Sequence, residues 1–357
     1  MKKTIALILI IILGILSGCS PAASNNTEAR ESDNGTRIFV DSAGRNVEIP
    51  TIITSVAPTG PLSQAFLYMA CPDLMVGVSG DFPAAARGFI PDEFFELPAF
   101  GRFFGVNVSL NLEALIAAGP DVIVDIGEAK ANIADDLDGL QRQIGIPVIF
   151  IEATLDTLDS AFLMLGELTG DTARAERLSK YVGNAVALAD NVRNSLREED
   201  KVRVYIALGE DGLSTNARDS FHADVLLRVG AKNVADVEAS DLGGGSEVSF
   251  EQLLLWNPQV ILVESALLFE ALSMDPIWRQ IEAVQTGRVY MIPTIPYNFI
   301  TNPPAANRVL GIKWLGSLLY PELFKIDIEE EVRFFFREFY SIDLTDEQFR
   351  KVMTNAM

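Results

Sequence analysis

Two stretches of this chain, 138 residues apart, are one unit written twice. Asn111 to Val124 (NLEALIAAGPDVIV) aligns without a gap on Ser249 to Leu262 (SFEQLLLWNPQVIL), with Glu113/Glu251, Leu115/Leu253, Pro120/Pro258 and Ile123/Ile261 coinciding. Each copy reads as a short helix stopped near a proline that leads into a buried strand, because proline offers no backbone N–H to extend a helix. A duplicated helix–strand unit implies two lobes of like construction.

Around the repeat, short apolar β-type runs alternate with helical patterns, the sign of an α/β fold with parallel strands. Strands are expected at 52–57, 74–78, 122–126, 148–152, 202–208, 260–263 and 289–292, and helices at 62–70, 112–118, 223–229 and 250–255. Several strand runs are continuously apolar, as in sheets covered on both faces. Between the copies, 172–199 lacks proline and places Leu178, Val182, Ala185, Ala189, Val192 and Leu196 at three- and four-residue steps. That is one apolar stripe on one long helix, a stiff connector spanning roughly 42 Å at 1.5 Å per residue.

The start of the chain reads as targeting, not fold. Lys2 and Lys3 precede an apolar run, Thr4 to Leu16, that is short for a membrane span, and Leu16-Ser17-Gly18-Cys19 resembles the lipobox of bacterial lipoproteins. Residues 1–18 are then a signal peptide, Cys19 carries lipid, and the polar stretch 19–36 is a tether outside the cytoplasm. Cys71 alone remains, and is expected buried and inert. A net charge of −21 argues against nucleic acid, and one His with two Cys supplies neither a multi-histidine nor a thiolate metal site. No G-x-S-x-G elbow, H-E-x-x-H pair or Walker A loop is present, which argues against an enzyme. Gly243-Gly-Gly245 reads as a close-approach loop, since no Lys-Ser/Thr follows it.

Ligand should bind at the carboxyl ends of the strands, between the lobes. The loops there carry Asp81, Phe82, Arg87, Arg102, Phe103 and Phe104 in the first lobe. The second lobe offers Asn216, Arg218, Phe221, His222, Tyr297, Asn298 and Phe299. Arginine beside aromatics suits an anionic chelate with a flat or greasy surround. His222, just inside a helix start, reads as a cap or packing residue before a metal ligand.

Seven blocks stand in order along the chain: Asp41–Pro50, Ile52–Pro58, Leu74–Ser79, Leu112–Ile123, Ser220–Leu227, Ala231–Ala235 and Ser249–Glu251. In these blocks and their spacing the chain resembles the substrate-binding proteins of ABC importers for iron–siderophores, haem and cobalamin, the long-helix-hinged class. The tail from Pro303-Pro-Ala-Ala-Asn-Arg308 to Leu319-Tyr-Pro-Glu322 resembles a subgroup. The resemblance implies two Rossmann-like lobes, 37–156 and 201–357, joined through a helical segment 157–200, with the ligand cleft between them. It implies that Glu113 and Glu251 dock on arginines of an ABC permease that works with an ATPase, and that the protein is a monomer with no cofactor. Ferric siderophore is the leading ligand, with haem or cobalamin as alternatives. Cobalamin is weakened because tryptophans that line some such clefts have no counterpart. Molybdate or tungstate is a rival, since a helix N-terminus such as Thr59–Leu62 suits an oxyanion. A chelatase-like enzyme or a transporter-independent receptor is the reading of another class.

Substituting Cys19→Ser is expected to abolish incorporation of radiolabelled palmitate and to move the protein from the membrane fraction into the soluble fraction. Labelling that persists in the variant would remove the anchor.

Overall fold

The computed structural model describes residues 35–105, 108–239 and 245–357. The expected signal peptide, Cys19 and all but the last two residues of the tether lie outside these, as do Gly243 and Gly244.

The first lobe opens with an antiparallel hairpin, β1 (Thr36–Val40) and β2 (Asn46–Pro50). Its sheet is all parallel in the order β3-β4-β5: β3 (Val56–Pro58), β4 (Val122–Gly127) and β5 (Val148–Glu152). Helices α1 (Pro61–Ala70), α2 (Leu112–Ala118) and α3 (Ile133–Ile144) connect and cover these strands. Two expected strands shrink. Of 52–57 only the end pairs, with Ile52 exposed, and 74–78 keeps only single bridges from Met75 to Val56 and from Val78 to Ala99.

Helices α4 (Leu158–Thr169) and α5 (Thr172–Ser195) follow. The long helix is real, 24 residues instead of 28. It starts where Asp171 accepts the Arg174 N–H, and it buries Leu178, Val182, Ala185, Ala189 and Val192 as the stripe requires. The second lobe contains β6 (Arg203–Ala207), β7 (Ser214–Thr215), α6 (Asp224–Arg228), β8 (Lys232–Asn233), β9 (Ser246–Glu247) and α7 (Phe250–Trp256). It continues with β10 (Val260–Val263), α8 (Ala266–Met274), α9 (Glu282–Gln285) and β11 (Val289–Met291). Its main sheet is parallel, ordered β11-β10-β6-β8.

The repeat is structural. Each copy is a seven-residue helix ended by a left-handed residue, Gly119 or Asn257, and followed by a buried proline and a strand flanked by parallel neighbours. Leu115 and Leu253 are fully buried, each under its own sheet, and the two copies occupy separate sheets. Side chains alternate across both sheets. Val124, Ile126, Ile149 and Ile151 share one core with Val204, Ile206, Val260 and Leu262 and with α1, α4, α5 and α6. The opposite faces, Ile123 and Phe150 in one lobe and Tyr205 and Ile261 in the other, build two outer cores.

The tail, expected within the second lobe at 201–357, also packs on the first. It consists of α10 (Asn307–Leu319), α11 (Pro321–Phe324), α12 (Ile328–Tyr340) and α13 (Asp346–Val352). Helix α12 returns to the first lobe, setting Phe336 on Phe89 and Tyr340 on Tyr68, while Phe339 meets Phe162 of α4. Gln348 then donates to the Gly88 carbonyl at 2.8 Å. The amphipathic pattern of such a helix says that one face is buried but not against which lobe. Arg228 adds a polar tie, reaching Asp190 of α5 at 3.0 Å and also Asp156.

Helix α10 runs so close to the preceding loop that a Cβ on Gly311 would lie 1.9 Å from the Phe299 carbonyl oxygen. Gly311→Ala is therefore expected to cost about 3 kcal/mol, because backbone cannot yield as a side chain does. Gly139→Ala, in α3 with open space around it, is expected to stabilise by about 0.5–1 kcal/mol. Urea unfolding of the two variants measures both; equal effects would contradict the packing described.

Candidate functional site

A cleft of about 300 Å3 opens at the carboxyl ends of β3 and β4, lined by Thr59, Gly60, Pro61, Leu62, Ser63, Phe104, Gly105, Asp125–Glu128 and Lys130, with Phe221, His222 and Pro304 opposite. Both halves of the molecule contribute to it. A larger cavity, about 550 Å3, lies between the ends of α1, α4 and α12 against Cys71 and Arg174, remote from the strand ends.

The first wall follows from how β3 turns into α1. Gly60 occupies the N-cap in extended conformation with no side chain to cap, and Pro61 fills the first helical position, where its missing N–H costs nothing. The free first-turn N–H groups and the helix dipole therefore face the cleft with a partial positive charge. Beneath them, Thr59 donates its hydroxyl to Asp125, and Ser63 Oγ, 3.2 Å from Thr59 Oγ1, accepts the Ile126 N–H at 2.8 Å. Asp125 is 5% exposed, a carboxyl inside an otherwise apolar strand. Burial raises its pKa, against a smaller lowering by the Thr59 hydrogen bond and by Lys130 and Arg45. At the rim, Lys130 Nζ stands 3.6 Å from the centre of the Phe104 ring.

The second wall is the turn Phe221–Ala223, capped by Ser220, whose Oγ accepts the His222 N–H at 3.2 Å. His222 Nδ1 lies 3.2 Å from the Thr301 carbonyl oxygen, which can only accept, so Nδ1 carries the hydrogen of that contact. Behind Phe221 lies Arg308, fully buried, its Cζ 4.4 Å from the ring centre. Burial lowers its pKa to about 10, partly offset by Asp224.

Of the residues expected in the cleft, Phe104, Phe221 and His222 line it, and Phe103 packs edge-on against Phe104 at 4.5 Å. The others are elsewhere. Phe82 and Tyr297 are buried and face each other at 6.2 Å; Phe299 is fully buried. Asn298 is spent on the fold, donating to Glu264 at 2.8 Å and accepting from Ile300 and Thr301. Arg87 lies over Phe95, paired with Asp92, and Arg218 pairs with Asp236 at 3.2 Å. Arg102 and Asn216 are not among the lining residues, and neither is the exposed Asp81. Aromatic residues in a loop after a strand serve core and cleft alike, so residue type alone does not separate the two. The Thr59–Leu62 helix start expected to suit an oxyanion does line the cleft, whereas nothing in the sequence reading marks Ser63, Asp125, Lys130 or Arg308 as ligand contacts. A charged residue within the run Val122–Ile126 was the one available signal.

Glu113 and Glu251 are exposed in the first turns of α2 and α7, after caps formed by Asn111 and Ser249, and neither carboxylate meets a partner among the described residues. Cys71 is buried and free, its thiol pushed up to about 12 by burial. Among the described residues no three His, Cys, Asp or Glu converge on a metal position, and no helix is long and apolar enough to cross a membrane.

A raised carboxyl takes up its proton on folding, so Asp125 supports the fold below the ordinary carboxylate range and loses that support as pH rises through its own value. Asp125→Asn is therefore expected to be more stable than the wild type at pH 8, with the difference shrinking toward pH 3. Denaturant unfolding at the two pH values tests the sign.

The model of the periplasmic binding protein family matches residues 105–296. The molybdate-binding protein MolA of Haemophilus influenzae is 26% identical over 257 residues, covering 65% of this chain and 70% of that one. An uncharacterised ABC transporter substrate-binding lipoprotein of Bacillus subtilis, YvrC, is 22% identical over 91% of this chain and 100% of its own. Among solved structures, an ABC transporter solute binding protein from Sulfurospirillum deleyianum superposes with a TM-score of 0.81 at 28% identity, over 88% of this chain and 98% of that one.

Proposed function

The chain belongs to the periplasmic binding protein family, as an ABC transporter substrate-binding protein, and we propose that its cargo is a small oxyanion of the molybdate or tungstate type. The observation that carries this reading is the uncapped N-terminus of α1, opening into a cleft of about 300 Å3 with Lys130 at its rim. Backbone N–H groups and a helix dipole hold an oxyanion without a dedicated side chain. That volume is at the small end for ligand sites. Three aromatic residues expected to stack on a greasy chelate, Phe82, Tyr297 and Phe299, are packed in the interior instead. The likeness to MolA, named for molybdate, points the same way.

A ferric siderophore is the second reading. It is favoured by Phe104 and Phe221, which face the same cleft with a cation seated on each ring. Under either reading the protein is a carrier, held outside the cytoplasm by lipid on Cys19 and returning its ligand unaltered to a permease and its ATPase. Glu113 and Glu251, one on each copy of the repeat, form a two-pronged dock. Exposed ion pairs contribute about 0–1 kcal/mol each, so they set register more than affinity.

Binding to the folded state alone raises the melting temperature, by an amount equivalent to about 2.7 kcal/mol at a hundredfold excess over Kd. Molybdate and tungstate are expected to do so with the purified protein, and sulfate and ferric citrate much less; the reverse order would replace the oxyanion with the chelate. The double variant E113A/E251A is expected to keep its ligand affinity while uptake by cells falls at least tenfold.

A further inference from the structure

Arg308 carries a charge that the fold leaves incompletely paired. Its side chain is wholly buried. Nη1 donates to the Phe221 carbonyl at 3.1 Å and lies 3.9 Å from Asp224 Oδ2, while the guanidinium rests on the Phe221 ring. Nε and Nη2 meet no hydrogen-bond partner among the described residues. Buried donors without acceptors are costly, and a buried cation more so. Arg228, which serves the fold, is arranged differently: its nitrogens are taken up by Asp190 and Asp156.

The position of Arg308 gives those two nitrogens a use. Phe221, on which the guanidinium lies, lines the cleft, and so does Pro304, in the loop four residues before Arg308. On the opposite wall Lys130 sits on the face of Phe104. Each wall thus sets one cation on a phenylalanine that borders the cleft. A guanidinium edge offering Nε and Nη2 is the fork that takes two oxygens of one anion, which a lysine cannot match.

The geometry points to Arg308 as the second wall's anchor for anionic oxygens of the cargo: with Phe221 turned aside, Nε and Nη2 bind two oxygens while Lys130 meets the same anion from the first wall. This rests on the reading of the cleft as an anion site, and it holds for an oxyanion or an anionic iron chelate alike. Besides Asp224, the charges acting on Arg308 are Arg228, a like charge that an anion would relieve, and Glu128 on the first wall, which an incoming anion must displace or outcompete.

The experiment is titration calorimetry of the full-length protein with sodium molybdate and with ferric citrate, for the wild type, R308M and R308K, alongside ligand-free melts. For whichever anion the wild type binds, R308M is expected to lose about 100-fold in affinity and R308K about tenfold. Ligand-free R308M should melt at or above the wild type, since removing an incompletely paired buried charge relieves the fold. An R308M protein that binds within threefold of the wild type overturns the anchor and leaves the cleft's function standing. R308M that melts well below the wild type or does not fold also overturns it, marking Arg308 as structural. A wild type that binds neither anion removes the anion reading of the cleft and the anchor with it.

Discussion

Both sheets of this protein press one face into the same layer of helices. Val124, Ile126, Ile149 and Ile151 from the first, and Val204, Ile206, Val260 and Leu262 from the second, belong to a single buried cluster with α1, α4, α5 and α6. Burying an aliphatic side chain contributes about 1.5–3 kcal/mol, so separating the lobes would expose a large share of the total stability. The two halves therefore act as walls of one body. The long helix α5 is the spine of that layer, and the returning helix α12 straps it with Phe336, Phe339 and Tyr340.

The site inherits its shape from this arrangement. A cleft at the strand ends, above a shared core, has walls that a wide hinge opening could separate only by tearing apolar contacts. Gly311 shows how tightly the second wall is set: α10 touches the Phe299 carbonyl so closely that only a hydrogen fits. That contact fixes the loop bearing Pro304 and the start of the helix bearing Arg308. Tyr297 and Phe82, which read as ligand contacts, are consumed in joining this loop to the first lobe.

The polar groups near the cleft stand against what folding alone favours. Asp125 interrupts an apolar strand, Arg308 is buried with two nitrogens unpaired, and α1 begins without a capping side chain. Each is a local cost that a ligand site explains and a packing argument does not. By contrast, Asn298, Gln64 and Arg228 are buried or half-buried polar groups with their hydrogen bonds made, and they hold loops and helices in place.

The duplicated unit, the apolar stripe of α5 and the strands at 122–126, 148–152 and 260–263 were legible in the amino acids because each is a local pattern with its own period. Strand 74–78 was not: Met75 and Val78 are apolar and β-like, but whether they pair depends on what lies beside them. The same limit governs the site. Residue order determined an α/β protein of two like lobes with a helical spine, and exposed glutamates at matching places on both. Only tertiary structure decided that the aromatic residues near 297–299 turn inward, that the tail returns to the first lobe, and that Lys130 borders the cleft whose opposite wall, Phe221, covers Arg308. Those outcomes depend on contacts between residues more than a hundred positions apart, and no period in the chain encodes them.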